Sequence, residues 1–150
     1  MARYKKDGNF YIKYPTRRKM QRLLQRIIMA EGLFQEGTLV ESVRINAKIT
    51  GFANLDVDII AMYYFIFLNN GAVLWNGGMI PPYNLVRQFT QEMASSGLTA
   101  EIYDQYTQFL FENYPMVEAV EVLPEDAVIT YNFIPVDPPP GFTVGTPLNV

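Results

Sequence analysis

Two carboxylates, Asp56 and Asp58, stand two positions apart in the stretch "NLDVDII" and are the first candidates for chemistry in this 150-residue chain. In an extended strand that spacing puts both on one face. There they could hold a divalent cation or serve as an acid–base pair. Two carboxylates alone are a sparse ligand set, and a solvent-facing strand edge is the simpler reading. Ser95-Ser96 has no histidine to activate it and reads as a helix stop. "NGGMIPP" (Asn76 to Pro82) lacks the spacing of a phosphate-binding loop.

The chain contains no cysteine and no histidine. Disulfides, thiolate catalysis and cysteine-built zinc or iron–sulfur sites are excluded. The commonest general base and transition-metal ligand are missing too. No set of residues assembles an acid, a base and an electrophile. The expectation is therefore a protein that is not an enzyme and takes no cofactor and no metal.

Alternation and helical spacing show which elements hold these residues. Val43, Ile45, Ala47 and Ile49 alternate with Arg44, Asn46, Lys48 and Thr50, the mark of a half-buried strand. "NLDVDII" repeats the pattern, so two antiparallel strands joined across "TGFAN" are expected. Upstream, "NFYIKYP" reads as a short extended arm closed by Pro15. Thr16 is a candidate N-cap for the helix that follows. In that helix Met20, Leu23, Leu24, Ile27 and Ile28 make one apolar stripe, and Gly32 stops it. Thr38 and Glu41 form a capping-box pattern at a second, short helix.

"AMYYFIFLNNG" either continues the second strand or forms a short buried helix, because nearly every position is apolar. Asn70-Gly71 and Asn76-Gly77-Gly78 signal turns on either side of "AVLW". Pro81-Pro82 opens a helix whose stripe is Leu85, Val86, Phe89 and Met93. Another helix, capped by Thr99, runs to Pro115 with Ile102, Tyr106, Phe109, Leu110 and Tyr114 on one face. Residues 116–135 read as a β-hairpin turning at Pro124-Glu125-Asp126. The fold class is α+β: a small antiparallel sheet packed by about three helices, with extended arms at both ends. The expected divisions are a basic N-terminal arm (1–15), a core domain (16–134) and a proline-rich C-terminal arm (135–150).

Charge is divided unevenly. Residues 1–26 hold nine of the twelve bases and one of the fifteen acids, a net +8, against −11 for the rest. Arg17, Arg18, Arg22 and Arg26 lie off the apolar stripe and make a cationic helix face. Such a face can be simply solvated, can meet an acidic face of another subunit, or can meet nucleic acid. No zinc-finger, helix-turn-helix or RNA-binding signature accompanies it. The apolar run Ile59 to Leu68 is about half the ~20 residues of a membrane span, so no membrane partner is expected. The aromatic fraction of 14% suits either a tyrosine-rich core or extensive protein contact.

"AVLWNGGM" is a turn-bounded loop carrying the only Trp and a Met. An apolar loop at a surface is normally covered by something. Tyr63, Tyr64, Leu74, Trp75 and Met79 are therefore candidate subunit contacts. The tail "PVDPPPGFTVGTPLNV" is either disordered or an arm lying on a neighbour through Phe142, Val144 and Leu148.

The order of elements resembles the small head–tail joining proteins of tailed bacteriophages, the neck, connector or tail-completion proteins. Thr38-Leu39 with Ser42-Val43 looks like their segment leading into the first strand. Tyr63-Tyr64 and Gly71 look like their tyrosine-containing element closing on glycine, and Pro81-Pro82 like their proline-led entry to the last long helix. The likeness covers roughly residues 17–95. It implies a structural virion protein, assembled in the host cytoplasm, that forms a ring at the head–tail junction. Its partners would be copies of itself and neighbouring connector, portal or tail proteins, with DNA in the channel as an alternative contact for the basic face. The competing expectation is a nucleic-acid-binding module that uses the basic N-terminal segment.

Overall fold

The computed structural model describes residues 9–33, 38–51, 53–113, 128–141 and 145–148. β1 (Phe10–Tyr11) leads into α1 (Tyr14–Ala30), then the short α2 (Thr38–Ser42). β2 (Arg44–Thr50) and β3 (Asn54–Met62) form the expected hairpin, in register from Arg44↔Ile60 to Thr50↔Asn54. Their alternation is the buried pattern: Ile45, Ala47, Ile49, Leu55, Val57, Ile59 and Ala61 all point into the core.

The ambiguous apolar run resolves into both alternatives in succession. β3 extends to Met62, the chain turns at Tyr63-Tyr64, and α3 (Phe65–Asn70) follows. β4 (Ala72–Val73) and β5 (Met79–Ile80) make a two-stranded hairpin of their own. α4 (Leu85–Ser95) packs on α1 and on α5 (Leu98–Asn113). β6 (Val128–Val136) and β7 (Thr146–Pro147) complete a five-stranded sheet of order β1-β2-β3-β6-β7.

The fold is α+β, with three long helices and two short ones among the described residues. The sheet, however, is mixed and not antiparallel. β6 lies parallel to β3 over nine pairs, Asn54↔Val128 through Met62↔Val136. A parallel neighbour needs a long crossover, and the stretch containing α3, α4 and α5 provides it. The first arm of the expected hairpin at 116–135 lies outside the described residues. Its second arm is β6, with β3 and β7 as neighbours.

Three start signals act differently from their sequence reading. α1 begins at Tyr14 with Pro15 in its first turn, and Lys13 is the N-cap. Thr16 is buried inside the helix, where its Oγ1 accepts a bond from Gln105 Nε2 at 3.0 Å. Thr99 lies within the first turn of α5, its hydroxyl buried without a hydrogen-bond partner. Gly97 serves as the cap there, its carbonyl accepting from the Glu101 amide. Pro81 and Pro82 precede α4, whose N-cap is Asn84 in a left-handed conformation. At the far end of α1 the stop is as expected: the amides of Gly32 and Leu33 bond back to Met29 and Ile28, closing a Schellman turn.

The division into arms also shifts. Phe10 and Ile12 are buried, so the second half of the N-terminal segment belongs to the core. β6 runs past residue 134, and β7 returns to pair with it at Asn132 and Phe133. Among the described residues, three tyrosines are core residues. Tyr103 and Tyr106 are buried, and their hydroxyls donate to the carbonyls of Ala53 (2.8 Å) and Gly51 (3.1 Å) at the β2–β3 turn. Tyr131 lies 2.7 Å from Thr90 Oγ1. Burial pushes the Tyr103 and Tyr131 hydroxyls up to about 12.

Candidate interaction surfaces

Among the described residues, the most exposed apolar ones cluster on the β4–β5 hairpin. Trp75 is 98% exposed at its tip, Met79 75% and Val73 74%, with Leu74 exposed beside them. Val73 and Met79 are direct cross-strand partners, so their side chains share one face. The end of the hairpin is closed by Leu74 N donating to Gly78 O (2.7 Å) and Gly77 N to Leu74 O (2.9 Å). Asn76 Oδ1 accepts from the Gly78 amide. Leu74, Trp75 and Met79 were legible as an apolar loop. Val73 belongs to the same loop, but its place on the face of Met79 is not legible, because alternation cannot assign a face in a two-residue strand.

The base of this hairpin is braced. Asn69 at the end of α3 is 3% exposed, and its Oδ1 accepts from the Val86 amide, the second of α4, at 2.9 Å. That is the role of an N-cap, delivered from a distant residue while the true N-cap, Asn84, makes no capping bond with its side chain. Asn69 Nδ2 in turn donates to Asn70 Oδ1 (2.7 Å). The backbone amides of Tyr83 and Asn84 satisfy the carbonyls of Leu68 and Asn69, which α3 leaves free at its end. Gly71 sits where these strands meet. A Cβ there would lie 3.0 Å from Ile80 O and 3.1 Å from Pro82 N, and its φ of +80° suits glycine. No periodic signal marked Asn69, since a single buried amide carries none.

Tyr63 and Tyr64 are half-buried at the β3–α3 turn, ring to ring at 5.6 Å and nearly perpendicular. Tyr64 packs against the core, and burial, then the Tyr63 hydroxyl, raise its pKa. The two tyrosines are thus one short helix away from the exposed hairpin. Leu148 is a correction to the expected tail contact. It is buried in the chain's own core, and its amide donates to Tyr131 O at 3.2 Å. An apolar side chain next to a paired strand finds its own sheet before a neighbour. Phe142 and Val144 lie outside the described residues.

The four arginines of α1 divide into one and three. Arg17 turns toward the sheet. Its Nε donates to Ile12 O (3.1 Å), its Nη1 to Asn46 Oδ1 (3.2 Å), and its guanidinium lies 5.6 Å from the Tyr14 ring centroid. Arg18, Arg22 and Arg26 follow one another at four-residue spacing on the outer side of the helix, roughly 6 Å from one to the next along its axis. Lys19 beside them pairs with Glu101 at 2.7 Å, an exposed contact of small energetic weight.

Asp56 and Asp58 share the outward face of β3 and are half-buried by their neighbours. Asn132 Nδ2 on β6 donates to both, at 3.0 Å and 3.4 Å, and Lys48 stands opposite Asp56 on β2. Desolvation raises the Asp58 pKa, opposed by the Asn132 bond, with Asp56 raising it further and Lys48 lowering it. The pair is therefore held as part of a cross-strand polar ladder. Among the described residues no three metal-ligating side chains come together, and no helix is long and apolar enough to cross a membrane. Comparison with known proteins finds no matching family model, no matching curated protein and no matching solved structure.

Proposed function

We propose that this chain is a structural assembly subunit: one copy in a closed ring at the head–tail junction of a tailed bacteriophage, working by adhesion and not by turnover. The observation that carries this reading is the fully exposed Trp75 on a hairpin whose base is firmly braced. An aromatic side chain buries roughly 150–250 Å², and at about 25 cal/mol per Å² covering Trp75 contributes about 4–6 kcal/mol gross. Association costs take back much of that, so Trp75 with Val73 and Met79 suits a contact repeated around a ring. The hairpin is a protrusion and fits a different surface on its neighbour. Such a heterologous contact closes into a ring when the rotation per subunit closes. The phage setting, the neck or tail-completion position, the portal and tail partners and the virion location rest on the sequence resemblance. The test is Trp75→Ala: a protein that folds and no longer assembles supports the reading, and normal assembly removes it.

A second reading has its own observation. Arg18, Arg22 and Arg26 form an outward-facing ridge, which suits a nucleic-acid backbone. A DNA mobility shift that fades with added salt supports this alternative, and no shift at low salt ends it.

A further inference from the structure

The cationic ridge of α1 is bordered by two open grooves. One, of about 540 Å³, is lined by the apolar Met29 and Val40 together with Lys19, Arg22 and Arg26, against a single carboxylate, Glu41. The other, of about 430 Å³, shares Lys19 and Arg26 and is lined by Leu23 and Leu98, with Glu101. A lining that mixes apolar and cationic side chains selects a segment in which carboxylates and aliphatic side chains are interspersed.

This chain carries such a segment. Residues 116–126, "MVEAVEVLPED", hold Glu118, Glu121, Glu125 and Asp126, no base, and five of the aliphatic residues Met, Val and Leu. We infer that the groove beside Arg22 and Arg26 receives segment 116–126 of a neighbouring copy, an inference that rests on the ring reading above. It gives a structural location to the charge asymmetry of the sequence: the basic helix of one subunit meets an acidic stretch of the next, a head-to-tail contact.

Reach favours a second copy over the segment's own chain. α5 runs antiparallel to α1, as the pairs Lys19–Glu101, Thr16–Gln105 and Phe10–Phe109 show. Asn113 therefore ends near the start of α1, and the level of Met29 is on the order of 30 Å away by helix rise. Residues 114–127 must also return to Val128, whose amide bonds Ala53 O beside Tyr103. Fourteen residues span at most about 50 Å fully extended. That round trip consumes nearly all of it, whereas a second copy has no such tether.

The test titrates a fluorescent synthetic peptide of residues 114–127 into the full-length protein and follows anisotropy. The expected result is saturable binding that weakens at least ~10-fold in Arg22→Glu/Arg26→Glu protein and weakens with added salt. Circular dichroism checks that the variant stays folded. A peptide carrying Glu118→Lys and Glu121→Lys should lose binding to the wild-type chain and regain it on the charge-reversed one. Absence of saturable binding, or binding indifferent to the reversal, overturns the inference. Normal assembly of the charge-reversed chain with unchanged peptide affinity removes this contact and leaves the ring reading standing. A strictly monomeric wild-type chain removes the ring reading, and the peptide titration still decides whether the groove takes the segment.

Discussion

Replacing Asn69 with Leu should destabilise the protein out of proportion to one small polar side chain. Asn69 Oδ1 is the acceptor for the Val86 amide at 2.9 Å, and the residue is 3% exposed. Leucine keeps the branching and heavy-atom count of asparagine, with bulkier methyl groups and no acceptor, so the amide at the start of α4 is left buried and unpaired. A buried donor without a partner costs about 1–3 kcal/mol, comparable to losing a strong N-cap. For a domain of this size each kcal/mol lowers Tm by about 2–4 °C, so the expected drop is about 2–12 °C. Thermal melts followed by circular dichroism measure it. Asn76→Ala is the control, because Asn76 Oδ1 bonds the Gly78 amide at the exposed hairpin tip, where a substitution shifts stability by about 0.5 kcal/mol or less. An Asn69→Leu protein that melts within about 1 °C of wild type would refute the capping role. An Asn76→Ala protein that falls equally far would refute the assignment of the loss to the hairpin base.

Gly71→Ala should cost about 1–3 kcal/mol through strain at φ +80° and the approach of Cβ to Ile80 O, and urea unfolding measures it. The buried hydroxyls of Tyr103 and Tyr131 are raised from 10.0 to about 12. A raised folded-state pKa means stability is complete below 10.0 and declines as pH rises toward about 12, because the unfolded chain ionises first. Tm measured against pH should therefore fall across that window, and less steeply for Tyr131→Phe. Asp58 is also raised, from 3.8, chiefly by desolvation. Its charge opposes folding at neutral pH and not below 3.8, so Asp58→Asn should raise Tm near neutrality and lose that advantage in acid.

What the sequence reveals and conceals divides by physical cause. Alternation in 43–50 and 54–59 foretells the β2–β3 pair because one face of these strands is buried and the other is not. The stripes of α1 and α4 are legible for the same reason. The run from Ile59 to Leu68 is not, since every position is apolar or aromatic whether it is buried, as Ile59, Ala61 and Phe65 are, or half-buried, and the change from strand to helix at Tyr63 leaves no trace in composition. Thr16 and Thr99 resemble caps only while their surroundings are unknown, and both are buried within their helices. The parallel placement of β6 beside β3 comes from crossover topology, which no local pattern encodes. Among surface residues, Trp75 and Met79 are visible because turn residues bracket an apolar loop. Leu148 misleads because its burial depends on a strand pairing made at Thr146 and Pro147. Arg17 misleads because its partners, Ile12 and Asn46, become neighbours only on folding.

The central claim is that copies of this chain assemble through the β4–β5 hairpin. Native mass spectrometry of the full-length wild-type protein and of Trp75→Ala over a range of concentrations tests it most directly. The account predicts one closed oligomer for the wild type and a folded monomer for the variant. A wild type that stays monomeric at every concentration, or a variant that assembles just as the wild type does, would contradict it.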